Sequence, residues 1–267
     1  MAASTTYSSA KDFLDQIGQK VYDEVKNGEA KTYKDELEGK LSFASIFVGE
    51  TVSSLHPCGL DYTKRLQGKR YPCANRQTVR FSDEYGGQCT HNRLTDNQSD
   101  DNTCGACAPY RRLHLCDYNL EKMGRTSTTK HDLLAEVCMA AKYEGDSIKT
   151  HYPKYEIQYP GSGSSFTLCT MLARSFADIG DIVRGKDLYL GYDDKEKNRR
   201  KQLDDKLKDI FAKIYDNLME DLTNDQTKKD GAQKRYNGDG DNFFKLREDW
   251  WTANRHTVWK AITFMQE

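Results

Sequence analysis

Long apolar runs are missing from this chain of 267 residues, in which only 37% of the residues are hydrophobic. No run approaches the roughly 20 apolar residues that a helix needs to cross a bilayer, so we predict no membrane-spanning segment. Residues 1–10 are polar and no apolar stretch follows them, so we expect no conventional secretory signal peptide. The formal net charge of -1 gives no overall attraction to DNA or to a membrane surface, and we predict no nucleic-acid partner.

Recognisable catalytic motifs are also missing. The sequence contains neither Gly-x-Ser-x-Gly nor His-Glu-x-x-His. The glycine- and serine-rich residues 161–165 lack the lysine that a phosphate-binding loop requires. We therefore predict that the protein is not an enzyme and holds no cofactor. The six histidines are scattered, mostly among polar residues: His56, His91, His114, His131, His151 and His256.

Cysteine, by contrast, is concentrated in one part of the chain. Six of the eight cysteines fall between residues 58 and 116, where little apolar periodicity is visible. A weak core combined with dense cysteine is typical of oxidised, extracellular domains. We predict that disulfides join all eight cysteines, namely Cys58, Cys73, Cys89, Cys104, Cys107, Cys116, Cys138 and Cys169.

Two other interpretations of the central cysteines stay open. Cys104 and Cys107 have the spacing of a redox dithiol, although Pro109 and its loop do not provide the strand-to-helix setting of that chemistry. With His114 and Cys116 they make four possible zinc ligands, although structural zinc sites usually have longer intervening loops. The alternative hypothesis is therefore a structural zinc-binding or redox protein that uses these four residues.

Helical spacing of apolar residues appears near the N-terminus and dominates the chain after residue 116. Ser8 or Ser9 is predicted to cap the first helix, whose single apolar stripe suggests that it is laid on another surface. Thr128 or Thr129 is predicted to cap a later one. Four of the predicted helices carry apolar stripes, which predicts a helical bundle. Helices are predicted at about residues 9–26, 33–41, 128–142, 166–184, 196–222 and 243–265.

The segments between these helices are rich in polar or turn-forming residues. We predict a loop over residues 152–165 and a linker over residues 228–241. The last helix carries all three tryptophans at a spacing that favours core packing: Trp250, Trp251 and Trp259.

Residues 237–242 are close to the pattern of a calcium-binding loop. Asp239, Asp241 and Glu248 would occupy ligand positions, but Asn242 replaces the glycine that the sixth position requires. We interpret these residues as a solvated turn that caps the last helix.

Basic residues form four local clusters. Each cluster alone is an ordinary solvated surface, but two or three that converge in space would bind a polyanion with strong salt dependence. A sulfated glycan suits an extracellular chain better than nucleic acid does. The candidate polyanion-binding residues are Lys64, Arg65, Lys69 and Arg70; Arg111 and Arg112; Arg199, Arg200 and Lys201; and Lys228, Lys229, Lys234 and Arg235.

Three segments resemble one known family when they are taken together. They are CGACAPYRRLHLC at residues 104–116, LCTMLARSFADIGDIVRGKD at residues 168–187, and REDWW followed by VWKAIT within residues 247–263. They resemble the Duffy-binding-like domain, alpha class, of Plasmodium falciparum erythrocyte membrane protein 1. Phe264 stands where family members commonly carry a cysteine, so the resemblance does not transfer a pairing of the other eight.

The resemblance implies a mainly α, disulfide-stapled Duffy-binding-like fold. It implies an N-terminal segment at residues 1–57, a loop-rich cysteine subdomain at residues 58–115 and a helical-bundle subdomain at residues 116–267. By comparison with the family, we expect the third subdomain, a long helical pair, to be absent after Glu267.

The resemblance also implies a function in cell adhesion. Family members are variant adhesins that reach the surface of the infected erythrocyte without a conventional signal peptide. The implied partners are a host cell-surface receptor (a sulfated glycosaminoglycan, a blood-group glycan or an erythrocyte protein, as in rosetting) and antibodies. Membrane attachment is expected only through C-terminal parts of a larger protein.

Overall fold

A computed structural model describes residues 9–45, 56–57, 71–74, 87–95, 106–125, 127–158 and 168–264. The described residues are mainly helical, as predicted. Within them β-structure is limited to two isolated bridges, one between Gln88 and Ala108 and one between Leu94 and Tyr189. The helices are α1 (Ala10–Asn27), α2 (Lys34–Leu37), α3 (Tyr110–Leu113), α4 (Tyr118–Glu121), α5 (Lys130–Gln158), α6 (Leu168–Arg184), α7 (Asp194–Asp221), α8 (Gln226–Tyr236) and α9 (Phe244–Thr263).

The core lies where α5, α6, α7 and α9 pack together. Helix α9 is central to it, because it contacts α5, α6 and α7. Trp250 and Trp251 are buried in one large apolar cluster, and the half-buried Trp259 packs against it. The predicted bundle and the predicted packing of the tryptophans are therefore confirmed. No helix in the described part of the chain is both long enough and apolar enough to cross a bilayer.

Both predicted helix caps are present. Ser9 Oγ accepts a hydrogen bond of 3.1 Å from the Asp12 N–H at the start of α1. At the start of α5, Thr129 and Asp132 bond reciprocally, with Thr129 N–H to Asp132 Oδ2 at 3.0 Å and Asp132 N–H to Thr129 Oγ1 at 3.2 Å. Helix α5 then runs past the predicted end near residue 142.

The prediction of a loop from residue 152 is wrong for its first seven residues, because α5 continues to Gln158. Pro153 lies inside the helix and is exposed. A proline there removes one helical hydrogen bond on the solvent side. The neighbouring Ile148 and Tyr152 are buried in the core, and their burial offsets that loss.

The prediction of a linker over residues 228–241 is also wrong, because α8 occupies Gln226–Tyr236. Asp225 caps the helix by accepting a hydrogen bond of 2.9 Å from the Lys228 N–H. Ala232 and Tyr236 are its buried residues. One turn of apolar contact is too short to produce a visible stripe in the sequence, which is why periodicity missed this helix.

The segment after α1 is fastened to the bundle by one buried side chain of α9. Asn254 Oδ1 accepts a hydrogen bond of 2.7 Å from the Gly39 N–H, and its Nδ2 donates to Leu37 O at 3.1 Å and Trp250 O at 2.8 Å. Nearby, Leu41 packs into the main core. Residues 33–44 therefore share the bundle's core.

Candidate functional site

Two disulfides fix the cysteine-rich part of the chain. They join Cys73 to Cys116 and Cys89 to Cys107. These bonds contradict the zinc and redox alternatives, because Cys107 and Cys116 are already bonded to partners outside the proposed cluster. The fourth proposed ligand, His114, is buried against the ring of Tyr110. Within the described ranges no group of three or more His, Cys, Asp or Glu side chains is arranged to hold a metal ion.

The prediction that all eight cysteines form disulfides is wrong for two of them. Cys138 and Cys169 are thiols in the structure. Cys138 is fully buried in the core on α5, whereas Cys169 is exposed on the first turn of α6, so the two sulfur atoms face different environments. Cys58 and Cys104 lie outside the described residues.

The first arginine of the Arg111–Arg112 pair lies inside the protein. Arg111 Nη2 forms an ion pair of 2.5 Å with Asp178, and its Nη1 donates to Ser175 Oγ at 2.6 Å. Ser175 donates in turn to Glu144 Oε1 at 2.8 Å, and Glu144 Oε2 accepts from the Cys116 N–H at 2.9 Å. This chain of hydrogen bonds ties the disulfide at Cys116 to α5 and α6.

The second arginine is also buried, at 2% exposure. Arg112 Nη2 forms an ion pair of 2.5 Å with Asp187, whose carboxylate lies 3.7 Å from Arg200 Nη1. Both guanidinium groups lie over the ring of Tyr189, at 5.3 Å for Arg112 and 4.7 Å for Arg200. The prediction that these arginines belong to an exposed basic surface is therefore wrong, because carboxylates distant in sequence pair with them inside the fold.

Arg200 is held by two further acids. Its Nη2 lies 2.8 Å from Glu196 and its Nη1 lies 3.4 Å from Asp117. Burial by itself would lower the pKa of Arg200, but the carboxylates of Asp117, Asp187 and Glu196 outweigh it and raise that pKa. Arg200 is therefore a permanently charged structural residue that joins α7 to the segment after α3.

The remaining basic candidates are split between structural and exposed roles. On α8, Lys228 forms an ion pair with Glu36, and Arg235 binds Asp249 through two contacts of 2.6 and 2.9 Å. Lys234 is exposed and Lys229 is half-buried. Lys64, Arg65, Lys69 and Arg70 lie outside the described residues.

One basic surface remains near the start of α7. Lys201 is exposed and Arg199 is half-buried. Lys197 is also exposed, one turn before Lys201, and lies outside the predicted basic clusters. Lys197 and Lys201 line a cleft of about 570 Å³ between α7 and the chain around Leu190. We call this the α7 cleft.

A second polar arrangement closes the C-terminus of α6. Gly185 has a φ of +72° there, and the buried Arg247 of α9 donates to Val183 O at 2.7 Å and Ile182 O at 3.2 Å. These bonds satisfy carbonyls that the helix end leaves without a partner. A Cβ atom on residue 185 would lie 2.8 Å from the guanidinium carbon of Arg247.

The residues that resemble a calcium loop form a helix cap, as interpreted. Asp239 accepts hydrogen bonds from the N–H groups of Lys245 at 2.9 Å and Leu246 at 3.1 Å, at the start of α9. Glu248 forms ion pairs of 3.0 Å with Arg184 and 2.5 Å with Lys186. These contacts engage two of the acidic side chains that a calcium ion would need.

The fold and its disulfides define a mainly helical, disulfide-stapled domain that holds its cysteine-rich part with buried ion pairs. Comparison with known sequences identifies the family of this domain. Residues 105–267 match the Duffy binding domain, and residues 9–45 match the N-terminal segments of PfEMP1. The chain belongs to the Duffy binding domain family. No curated protein sequence matches it significantly.

Solved structures agree with this assignment. The chain is similar to the crystal structure of the NTS-DBL1(alpha-1) domain of PfEMP1 from the Plasmodium falciparum varO strain, at 35% identity and a TM-score of 0.65, over 97% of this chain and 50% of that one. It matches the NTS-DBL1-alpha and CIDR-gamma double domain of the same strain at 34% identity and a TM-score of 0.70, over 96% and 36%. It thus spans half or less of these relatives.

A more distant likeness shows the fold alone. The DBLb domain of a PfEMP1 bound to human ICAM-1 is 23% identical, with a TM-score of 0.70, over 98% of this chain and 56% of that one. The mainly α Duffy-binding-like fold predicted from the sequence is confirmed.

Proposed function

We propose that this chain is an adhesion module of a variant surface protein of infected erythrocytes, and that it binds receptors on host cells. Membership of the Duffy binding domain family and the match of residues 9–45 to N-terminal segments of PfEMP1 support this proposal. The solved structure of a PfEMP1 DBLb domain of the same fold has that domain bound to human ICAM-1, which supports receptor binding as the general activity. The module would be displayed on the outer face of the red cell as part of a longer protein.

We further propose that its receptor contact includes a sulfated glycan at the α7 cleft. The observation that carries this is the exposure of Lys197 and Lys201 one turn apart beside a concave surface. Of the two arginines between them, Arg199 is half-buried and Arg200 is committed to buried acids. Two lysines at this spacing offer point charges to successive sulfates. Two acids also line the cleft, but Asp187 is paired with Arg112 and Asp204 with Arg247.

The test is a salt-graded heparin column. Lys197→Glu/Lys201→Glu should elute at clearly lower salt than the wild type, because ionic contacts at an exposed surface are screened by salt and reversed charges repel the glycan. Lys154→Glu/Lys245→Glu is the matched control, since it makes the same change in net charge at exposed positions on α5 and α9. Equal elution of both variants would remove the glycan proposal for this cleft. The broader adhesion proposal is tested separately, by binding of the module to intact red cells and endothelial cells.

A further inference from the structure

A large apolar cavity lies between α1, α6 and α9. Its volume is about 800 Å³, and none of its lining residues also lines the α7 cleft. The floor is aromatic: the rings of Phe176 and Trp259 meet edge to face, with centroids 5.1 Å apart. Val21 and Tyr22 of α1 also line the cavity. Cavities of this size with apolar walls and a few polar groups are typical of small-molecule sites.

The rim of this cavity carries positive charge. Lys31, Lys34 and Arg255 line it beside the imidazole of His256, and none of the described lining residues is acidic. Within the described part of the chain these four side chains form no ion pair, and the guanidinium of Arg255 lies over the ring of Phe176 at 5.9 Å. Most buried or half-buried arginines elsewhere in the fold are paired with carboxylates. The charge of this rim is therefore available to a ligand.

Helix α1 leaves space at residue 18, which is glycine, so a larger side chain at this position can enter the cavity. Gly18 lines the cavity, and a Cβ atom added there would meet no other atom within 4 Å. The apolar stripe of α1 continues along the same helix, where Phe13, Ile17 and Val21 are 40–51% exposed. The predicted stripe of α1 therefore faces this cavity at Val21 and remains partly exposed along the rest of its length.

We propose that this cavity binds a free long-chain fatty acid. The acyl chain would lie against Phe176, Trp259 and the wall of α1, and the carboxylate would lie among the cations of the rim. An uncharged apolar ligand would make no ionic contact with the basic rim. A small inorganic anion would leave the aromatic rings of the floor in contact with water. A single apolar chain with one anionic end satisfies both features. This inference does not depend on the adhesion proposal.

Isothermal titration of oleate into the wild-type protein should give saturable binding at one site per chain. Gly18→Leu places a side chain in the empty space of the cavity and should weaken binding at least tenfold, whereas Gly18→Ala should change it less than threefold. Leucine also favours a helix over glycine, so the fold should persist, and circular dichroism checks that it does. Wild-type affinity in Gly18→Leu would overturn the proposal.

A second arm tests the rim without altering the cavity. Lys31→Glu/Lys34→Glu should weaken oleate binding roughly tenfold, and Lys154→Glu/Lys245→Glu should leave it unchanged. Oleyl alcohol, which has the chain without the charge, should bind the wild type at least tenfold more weakly. Equal binding of oleyl alcohol and oleate would contradict the role of the rim. Binding to phosphatidylserine vesicles as tight as to oleate would replace the fatty acid with a membrane surface.

Discussion

Replacing Asn254 with leucine tests how the segment after α1 is attached to the bundle. Leucine keeps the branching of the side chain at Cγ but removes the acceptor for the Gly39 N–H and the donor for Leu37 O, both of which lie in buried surroundings. Leaving a buried polar group without a partner costs about 1–3 kcal/mol. Since leucine supplies some apolar burial in return, we expect a net loss of about 2–4 kcal/mol. In a domain of this size that corresponds to a fall in Tm of roughly 10 °C.

Urea denaturation followed by circular dichroism measures the loss, and hydrogen exchange locates it. Amide protection over residues 37–44 should fall more than protection in α6 and α7, because the broken bonds hold that segment. Asn198→Leu, on the exposed face of α7, is the control and should stay within about 0.5 kcal/mol of the wild type. If Asn254→Leu unfolds at the wild-type urea concentration with unchanged protection of residues 37–44, the proposed role of Asn254 is wrong.

Three further perturbations have defined outcomes. Cys73→Ser/Cys116→Ser opens a link across 43 residues and should cost about 4 kcal/mol in urea denaturation, and stability equal to the wild type would contradict a structural role for this disulfide. Burial, together with neighbouring lysines, lowers the pKa of His131, whose Nδ1 accepts a hydrogen bond of 2.9 Å from the Lys40 N–H. The neutral imidazole therefore contributes to the stability of the fold above pH 6.5, and this contribution is lost as the pH falls from 6.5 through the lowered pKa. His131→Asn should show a weaker loss of Tm below pH 6.5, and parallel pH profiles would count against this coupling. Gly185→Ala should lower stability by about 2–4 kcal/mol, because alanine disfavours the positive φ and its Cβ would press on Arg247; an unchanged Tm would show that the helix end relaxes freely.

The helices with long apolar stripes were predictable from the sequence. Helices α6, α7 and α9 begin and end within two residues of their predicted bounds, because one face of each is apolar over several turns and all of that face is buried. Helix α8 was not predictable in this way, since its buried residues are Ala232 and Tyr236 and its other contacts include ion pairs with acids elsewhere in the chain. The end of α5 was misplaced because tertiary burial of Tyr152 outweighed the local signal of Pro153.

The candidate site was harder to predict, since the fate of a basic residue depends on acids that are distant in sequence. Arg112 pairs with Asp187, which is 75 residues away, and Arg235 pairs with Asp249 across the turn between α8 and α9. No local pattern distinguishes these arginines from Lys201, which remains at the surface. Lys197 was missed because the residue that follows it, Asn198, separates it from the arginine pair.

The contact between Gly185 and Arg247 has a consequence for how chains of this kind can exchange segments. Each position limits what the other can hold, although 61 residues of chain lie between them. A recombination crossover within that interval joins an α6 terminus from one parent to an α9 start from another, so the product folds well only when the two parents agree at both positions. A crossover outside the interval keeps residues 185 and 247 from the same parent. Recombinant chains that fold should therefore have their crossover points outside residues 185–247.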